Sequence, residues 1–145
     1  MSPFDNAASG QIVVAIGPSE RRLVELLHVE ARRRQLGILQ LTDADQASMR
    51  TLLAAVVRSL ARVEPPHYTH AHRSLAHTLL QRVEGLLVLG LSSGDPEVVA
   101  FLRWLASHEG RAVIIGTTAE RWASLEQADS EGRLVGLVAH REVLE

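Results

Sequence analysis

Three short polar segments stand where an apolar run gives way to a helical pattern: Gly17-Pro18-Ser19-Glu20, Thr42-Asp43-Ala44-Asp45 and Thr117-Thr118. Glycine, serine and threonine at a helix start present backbone N–H groups and hydroxyls to a ligand, and the helix dipole favours an anion there. Gly17, Ser19, Asp43, Thr117 and Thr118 are therefore the candidate nucleotide- or phosphate-binding residues. A plainer reading stands beside this one, because Ser19, Thr42 and Asp43 are also good helix N-caps. Ser19 as a nucleophile lacks the G-x-S-x-G turn, since Glu20 and Arg21 follow it. A fourth segment, His67, His70, His72 and His77, spaces imidazoles as zinc or nickel sites do. No cysteine or acid completes that set, and histidines beside Pro65 and Pro66 equally fit a solvated loop and helix start or a pH-sensitive surface.

Composition removes several chemistries. All 15 basic residues are arginine, a bias that goes with abundant alanine and leucine and a G+C-rich, bacterial-type genome. Without lysine there is no Schiff base, no P-loop phosphate contact and no phosphate-sensing lysine. Without cysteine there is no disulfide and no thiolate nucleophile. The net charge of -2 gives no global attraction for nucleic acid, and Arg32-Arg33-Arg34 complements a helix C-terminus. No apolar run reaches membrane-span length and the start of the chain lacks signal-peptide character, so a cytoplasmic protein is expected.

The elements that must position these residues alternate. QIVVAI (11–16), GILQL (37–41), GLLVLGL (85–91) and RAVIIG (111–116) are short apolar runs of the kind buried on both faces of a parallel sheet, and 134–138 reads as a fifth. Helical patterns lie between them: from Ser19 to Arg34, from Gln46 to Arg62, from His72 to Gln81, from Pro96 to the stop at Gly110, and from Ala119 to Ala128. Val63 to His70, with paired prolines, reads as a loop. Trp104 and Trp122 fall on separate helices, for core packing or a partner surface. This pattern predicts a three-layer α/β sandwich with a mainly parallel sheet of about five strands, preceded by a flexible segment over 1–10 and forming one domain over 11–145.

The order of elements over 11–138 resembles the core of a P-loop ATPase of the AAA type. QIVVAIGPSERRLVELL matches the first strand, phosphate loop and helix as far as Gly17-Pro18, GLLVLGL the metal-binding strand, and RAVIIGTT the sensor strand, whose ligand-facing polar residue would be Thr117 or Thr118. The family's working parts are absent. G-x-x-x-x-G-K-[ST] is replaced by Gly17-Pro-Ser-Glu-Arg-Arg-Leu, and the acidic pair closing the metal strand by Gly90 and Leu91. Asp95 and Glu97 lie further on, at a helix start. The same elements also resemble a receiver domain, again without its phosphorylated aspartate and its lysine. Both resemblances imply a pseudo-enzyme: a regulatory or assembly module that binds a protein partner or itself as a dimer, with no cofactor. A small phosphate-binding enzyme using the Gly17 loop is the alternative.

Overall fold

A computed structural model describes residues 8–61, 69–129 and 131–144. The elements are β1 (Ile12–Gly17), α1 (Glu20–Arg33), β2 (Gly37–Gln40), α2 (Met49–Ala61), α3 (Thr69–Leu80), β3 (Gly85–Leu89), α4 (Pro96–Arg103), β4 (Ala112–Thr118), α5 (Ala119–Ala128) and β5 (Val138–Val143). Every strand pairing is parallel, and the strand order is β2-β3-β4-β1-β5. The expected three-layer α/β architecture is present. The order differs from the 2-1-3-4-5 arrangement of receiver-type sheets, which corrects the pseudo-receiver resemblance at the level of topology.

Strand order decides where the helices go. The crossover from β1 to β2 runs one way along the sheet, and the three later crossovers run the other way. Right-handed connections therefore put α1 on one face and the remaining helices on the opposite face. The core divides accordingly. Leu23, Leu27 and Ala31 of α1 pack on Ala15, Leu87, Leu89 and Ile114. The larger cluster joins Ile12, Val14, Leu86, Val88, Val113 and Ile115 to apolar residues of the other helices, including the fully buried Phe101. Close approach of α1 depends on Gly116, where a Cβ would lie 2.8 Å from Leu27 and 2.7 Å from Leu89.

Four boundaries depart from the sequence pattern. The helix expected from Gln46 is interrupted: Ala44–Ala47 is a 3-10 turn, Ser48 is extended, and α2 starts at Met49. Ser48 and Thr51 exchange backbone-to-hydroxyl bonds there, the Ser48 N–H donating to Thr51 Oγ1 (3.0 Å) and the Thr51 N–H to Ser48 Oγ (3.2 Å). Thr69 and His70, expected in a loop, begin α3. β3 stops at Leu89 because Gly90 turns the chain with φ 82°. The fifth strand starts at Val138 and not at Leu134, whose side chain is instead fully buried in the core below a 3-10 turn. The segment expected to be flexible lies mostly outside the described residues, but Gly10 donates its N–H to the Arg111 carbonyl (3.2 Å).

Gly90 is the position least tolerant of change. Its φ is positive, and an added Cβ would collide with the Leu41 carbonyl oxygen. Gly90→Ala is expected to cost about 3 kcal/mol, from left-handed strain plus the backbone collision. Urea denaturation reads the loss; a change below about 0.5 kcal/mol, the size of an ordinary surface substitution, would contradict it.

Candidate functional site

In an open parallel sheet, ligands bind beyond the strand C-termini where neighbouring strands send their helices to opposite faces. Here that point lies between β1 and β4, whose last residues, Gly17 and Thr118, are register partners. α1 leaves β1 for one face and α5 leaves β4 for the other. Gly17, Ser19, Thr117 and Thr118 therefore come together at this crevice. Asp43 follows β2, three strand spacings from β1, or roughly 14 Å.

The polar groups at the crevice are largely occupied by one another. Ser19 caps α1, its Oγ accepting from the Arg22 N–H (3.2 Å), while its carbonyl accepts from Leu23 (2.9 Å). Thr118 caps α5 in the same way, accepting from the Arg121 N–H (3.3 Å). Pro18 has no N–H to offer. Across the crevice, Arg121 donates to Glu20 Oε1 at 2.9 Å, tying the start of α5 to the start of α1. Both side chains are partly exposed, so the pair adds little to stability, and it sets a carboxylate at the start of α1, where the helix dipole favours an anion. The cavity beside it, lined by Glu20, Leu23, Gln40 and Gly116 among others, holds about 40 Å³, far below the roughly 300 Å³ at which ligand pockets begin. The Thr117 hydroxyl is buried without a hydrogen-bond partner among the described residues.

At the ends of β2 and β3 the organising residue is Gln46, which the sequence pattern did not single out. Its buried amide donates to the carbonyls of Thr42 (2.9 Å) and Gly90 (3.1 Å), and its oxygen accepts from the N–H groups of Ser92 (2.8 Å) and Ser93 (3.0 Å). Asp43 accepts from the Ser92 hydroxyl (2.7 Å). Asp45 accepts from the Thr42 N–H (3.0 Å) and pairs with Arg58. Leu91, which follows the strand that would hold metal, is fully buried. Asp129 lies at a separate shallow cleft with Asp95 and Glu131. The Val135 N–H donates to it at 2.9 Å and holds its carboxyl below the usual carboxylate range.

Of the four candidate histidines, the side chains of two, His72 and His77, are described. His67 lies outside the described residues, and of His70 only the helical backbone is described. His72 is buried. The His77 ring nitrogen Nδ1 meets both carboxylate oxygens of Glu109, at 2.7 and 2.8 Å. Among the described residues, no group of three or more His, Cys, Asp or Glu is placed to hold a metal ion, and no helix is long and apolar enough to cross a membrane.

No protein-family model matches the chain, and no curated protein matches it in sequence. Solved structures match it in fold. A chain of the Drosophila ORC structure bound to AT-rich DNA and Cdc6 aligns at TM-score 0.53 and 14% identity, covering 93% of this chain and 48% of that one. The Aeropyrum pernix ORC2 protein, in ADPNP-ADP complexes, aligns at TM-score 0.52 and 9% identity, covering 97% and 43%. A chain of the Drosophila ORC structure bound to DNA aligns at TM-score 0.52 and 13% identity, covering 93% and 79%. The chain thus spans about half the length of the first two, and it shares their fold.

Removing the Gln46 amide leaves two carbonyls and two N–H groups to find new partners. Gln46→Leu is expected to destabilise the protein by about 2–4 kcal/mol. It should also release the Ser92 and Ser93 amides to fast hydrogen exchange while the β1 amides stay protected. Unchanged protection at Ser92 and Ser93 would show that the amide does not hold this loop.

Proposed function

We propose that this chain is a P-loop-like domain without hydrolytic machinery, acting as a regulatory or assembly module through contacts with a protein partner or with itself. The observation that carries the reading is the occupied crevice between β1 and β4. Glu20 and Arg121 bridge it, and Ser19 and Thr118 spend their hydroxyls on helix caps. A phosphate-binding loop instead keeps its amides open for the ligand and supplies a lysine, and this chain has no lysine.

Support for contacts comes from the thinly covered face of the sheet. Among the described helices α1 alone covers it, and Val29, 69% exposed, and Val24 stand on the outer side of that helix. In the solved structures of similar fold, ORC is bound to Cdc6 and to DNA. By analogy of fold this supports a partner-binding role, and it means that the net charge alone does not exclude nucleic acid.

Calorimetry with ATP, ADP and GTP, with and without magnesium, tests the reading. No heat of binding is expected at millimolar nucleotide. Magnesium-dependent binding in the micromolar range would overturn it and return the Gly17 loop to a chemical role. Sedimentation velocity of the wild type and Val29→Asp then separates the two modes of contact. A concentration-dependent dimer lost in the variant marks self-association, and a monomer at every concentration marks a different protein.

A further inference from the structure

The opposite side of the molecule from the crevice carries an arrangement that the P-loop-like reading does not use. After α4 the chain makes one π-helical turn, Trp104–His108, in which the Glu109 N–H reaches back to the Trp104 carbonyl (2.9 Å). Such turns are rare and recur at functional sites. This one sets the Trp104 and His108 rings 6.5 Å apart and 17° from parallel, with Phe101 on the inner side of Trp104 at 6.3 Å. The ring of His108 is largely exposed, and Trp104 is half-buried.

This pair of rings forms a ridge between two grooves. One, of about 510 Å³, is walled by α3 through Arg73, Ser74 and His77. The other, of about 450 Å³, is walled by Ala100, Arg103 and Ser107. Both fall within the size range of small-ligand pockets. Among the described residues, their lining holds two arginines, two histidines and a single acid, Glu109. That acid is withdrawn from the surface: its side chain is 1% exposed and both its oxygens face His77 Nδ1. Among the described residues, eight arginines are paired with a glutamate or aspartate. Arg73 and Arg103 form no ion pair among the described residues, although both are exposed.

Unpaired guanidinium groups flanking a ridge of near-parallel rings suit a ligand that is both planar and anionic. We propose that the two grooves beside the Trp104–His108 ridge bind a segment of single-stranded nucleic acid, with bases against the rings and phosphates on Arg73 and Arg103. Stacking on aromatic faces with cations along the backbone is the general mode of sequence-tolerant single-strand binding. Two nucleotide-sized grooves sharing one aromatic wall favour a strand over one free nucleotide. An acidic peptide would use the arginines and leave the rings without a planar partner. His77 acts as a positioning residue, holding Glu109 away from the phosphate path.

Fluorescence anisotropy of a labelled oligodeoxythymidylate of about 12 nucleotides, a length within the usual site sizes of single-strand binders, tests the proposal. Binding is expected at about 50 mM salt and is expected to weaken steeply by about 200 mM. In the Arg73→Ala/Arg103→Ala variant the slope of log affinity against log salt should fall by about 1.4, from two lost phosphate contacts. His108→Ala should weaken binding about tenfold through lost stacking, and Arg141→Ala, on the β5 edge, should leave it unchanged. Four results would each overturn the proposal: no anisotropy change at about 100 μM protein, well within non-specific nucleic-acid affinities; a slope unaltered in the double variant; thymidine monophosphate binding as tightly as the strand; or polyglutamate displacing the strand at equal charge.

Discussion

The placement of β1 between β4 and β5 is the constraint on which the rest of the molecule depends. β1 is six residues long and all six are buried, so it needs a hydrogen-bonded neighbour on each side and a helical layer on each face. Once it sits there, β2 can be reached only by a crossover past β4 and β3, and right-handedness fixes the face on which α1 lies. Among the described residues, one helix then covers one face and four helices the other. The asymmetry appears in the core, where seven buried residues form the α1 layer and the larger cluster takes in both Phe101 and Trp122. The same placement makes Gly17 and Thr118 neighbours, so the crevice between them follows from topology before any chemistry is added.

What the sequence adds at that edge is closure. Four backbone groups from the β2 and β3 ends converge on Gln46, two hydroxyls cap the helices that flank the crevice, and Glu20 faces Arg121 across it. A buried N–H or carbonyl left unsatisfied costs about 1–3 kcal/mol. A loop kept open for phosphate carries that cost until the ligand arrives, whereas this edge satisfies its groups internally. Thr117 is the exception. Its hydroxyl is buried without a partner among the described residues, as is the Trp122 indole N–H, and unsatisfied buried groups of this kind are uncommon enough to need an explanation.

The strands of the sheet interior were legible because burial on both faces demands apolar runs, and β1, β3 and β4 are such runs. β5 was misplaced for the same reason. It is an edge strand whose residues His140 and Arg141 are exposed, so VAHREV carries no apolar signal, while the nearby LVGLV does and is a turn over the core. Helix starts were legible where a cap is local, as at Ser19 and Thr118, three residues from the amides they accept. The polar core of the edge was not. Gln46 bonds to Ser92 across 46 positions, and His77 to Glu109 across 32, separations at which spacing in the sequence holds no information.

Charge shows the same division between what a sequence sums and what a fold arranges. A net charge of -2 describes the far field, but salt screens exposed charges beyond about 8 Å at physiological ionic strength. A groove therefore feels its own lining more than the total. On α1 the arginines sit one turn from glutamates and cancel locally, as Arg21 and Arg22 do with Glu25 and Arg34 does with Glu30. Beside Trp104 and His108 that cancellation fails among the described residues, because the acid there, Glu109, is buried against His77. At the crevice the reverse holds, for Arg121 there is paired with Glu20. A weakly acidic chain can thus pair its charges at one edge of the sheet and leave two arginines without an ion pair among the described residues beside a groove elsewhere, with no contradiction in its composition.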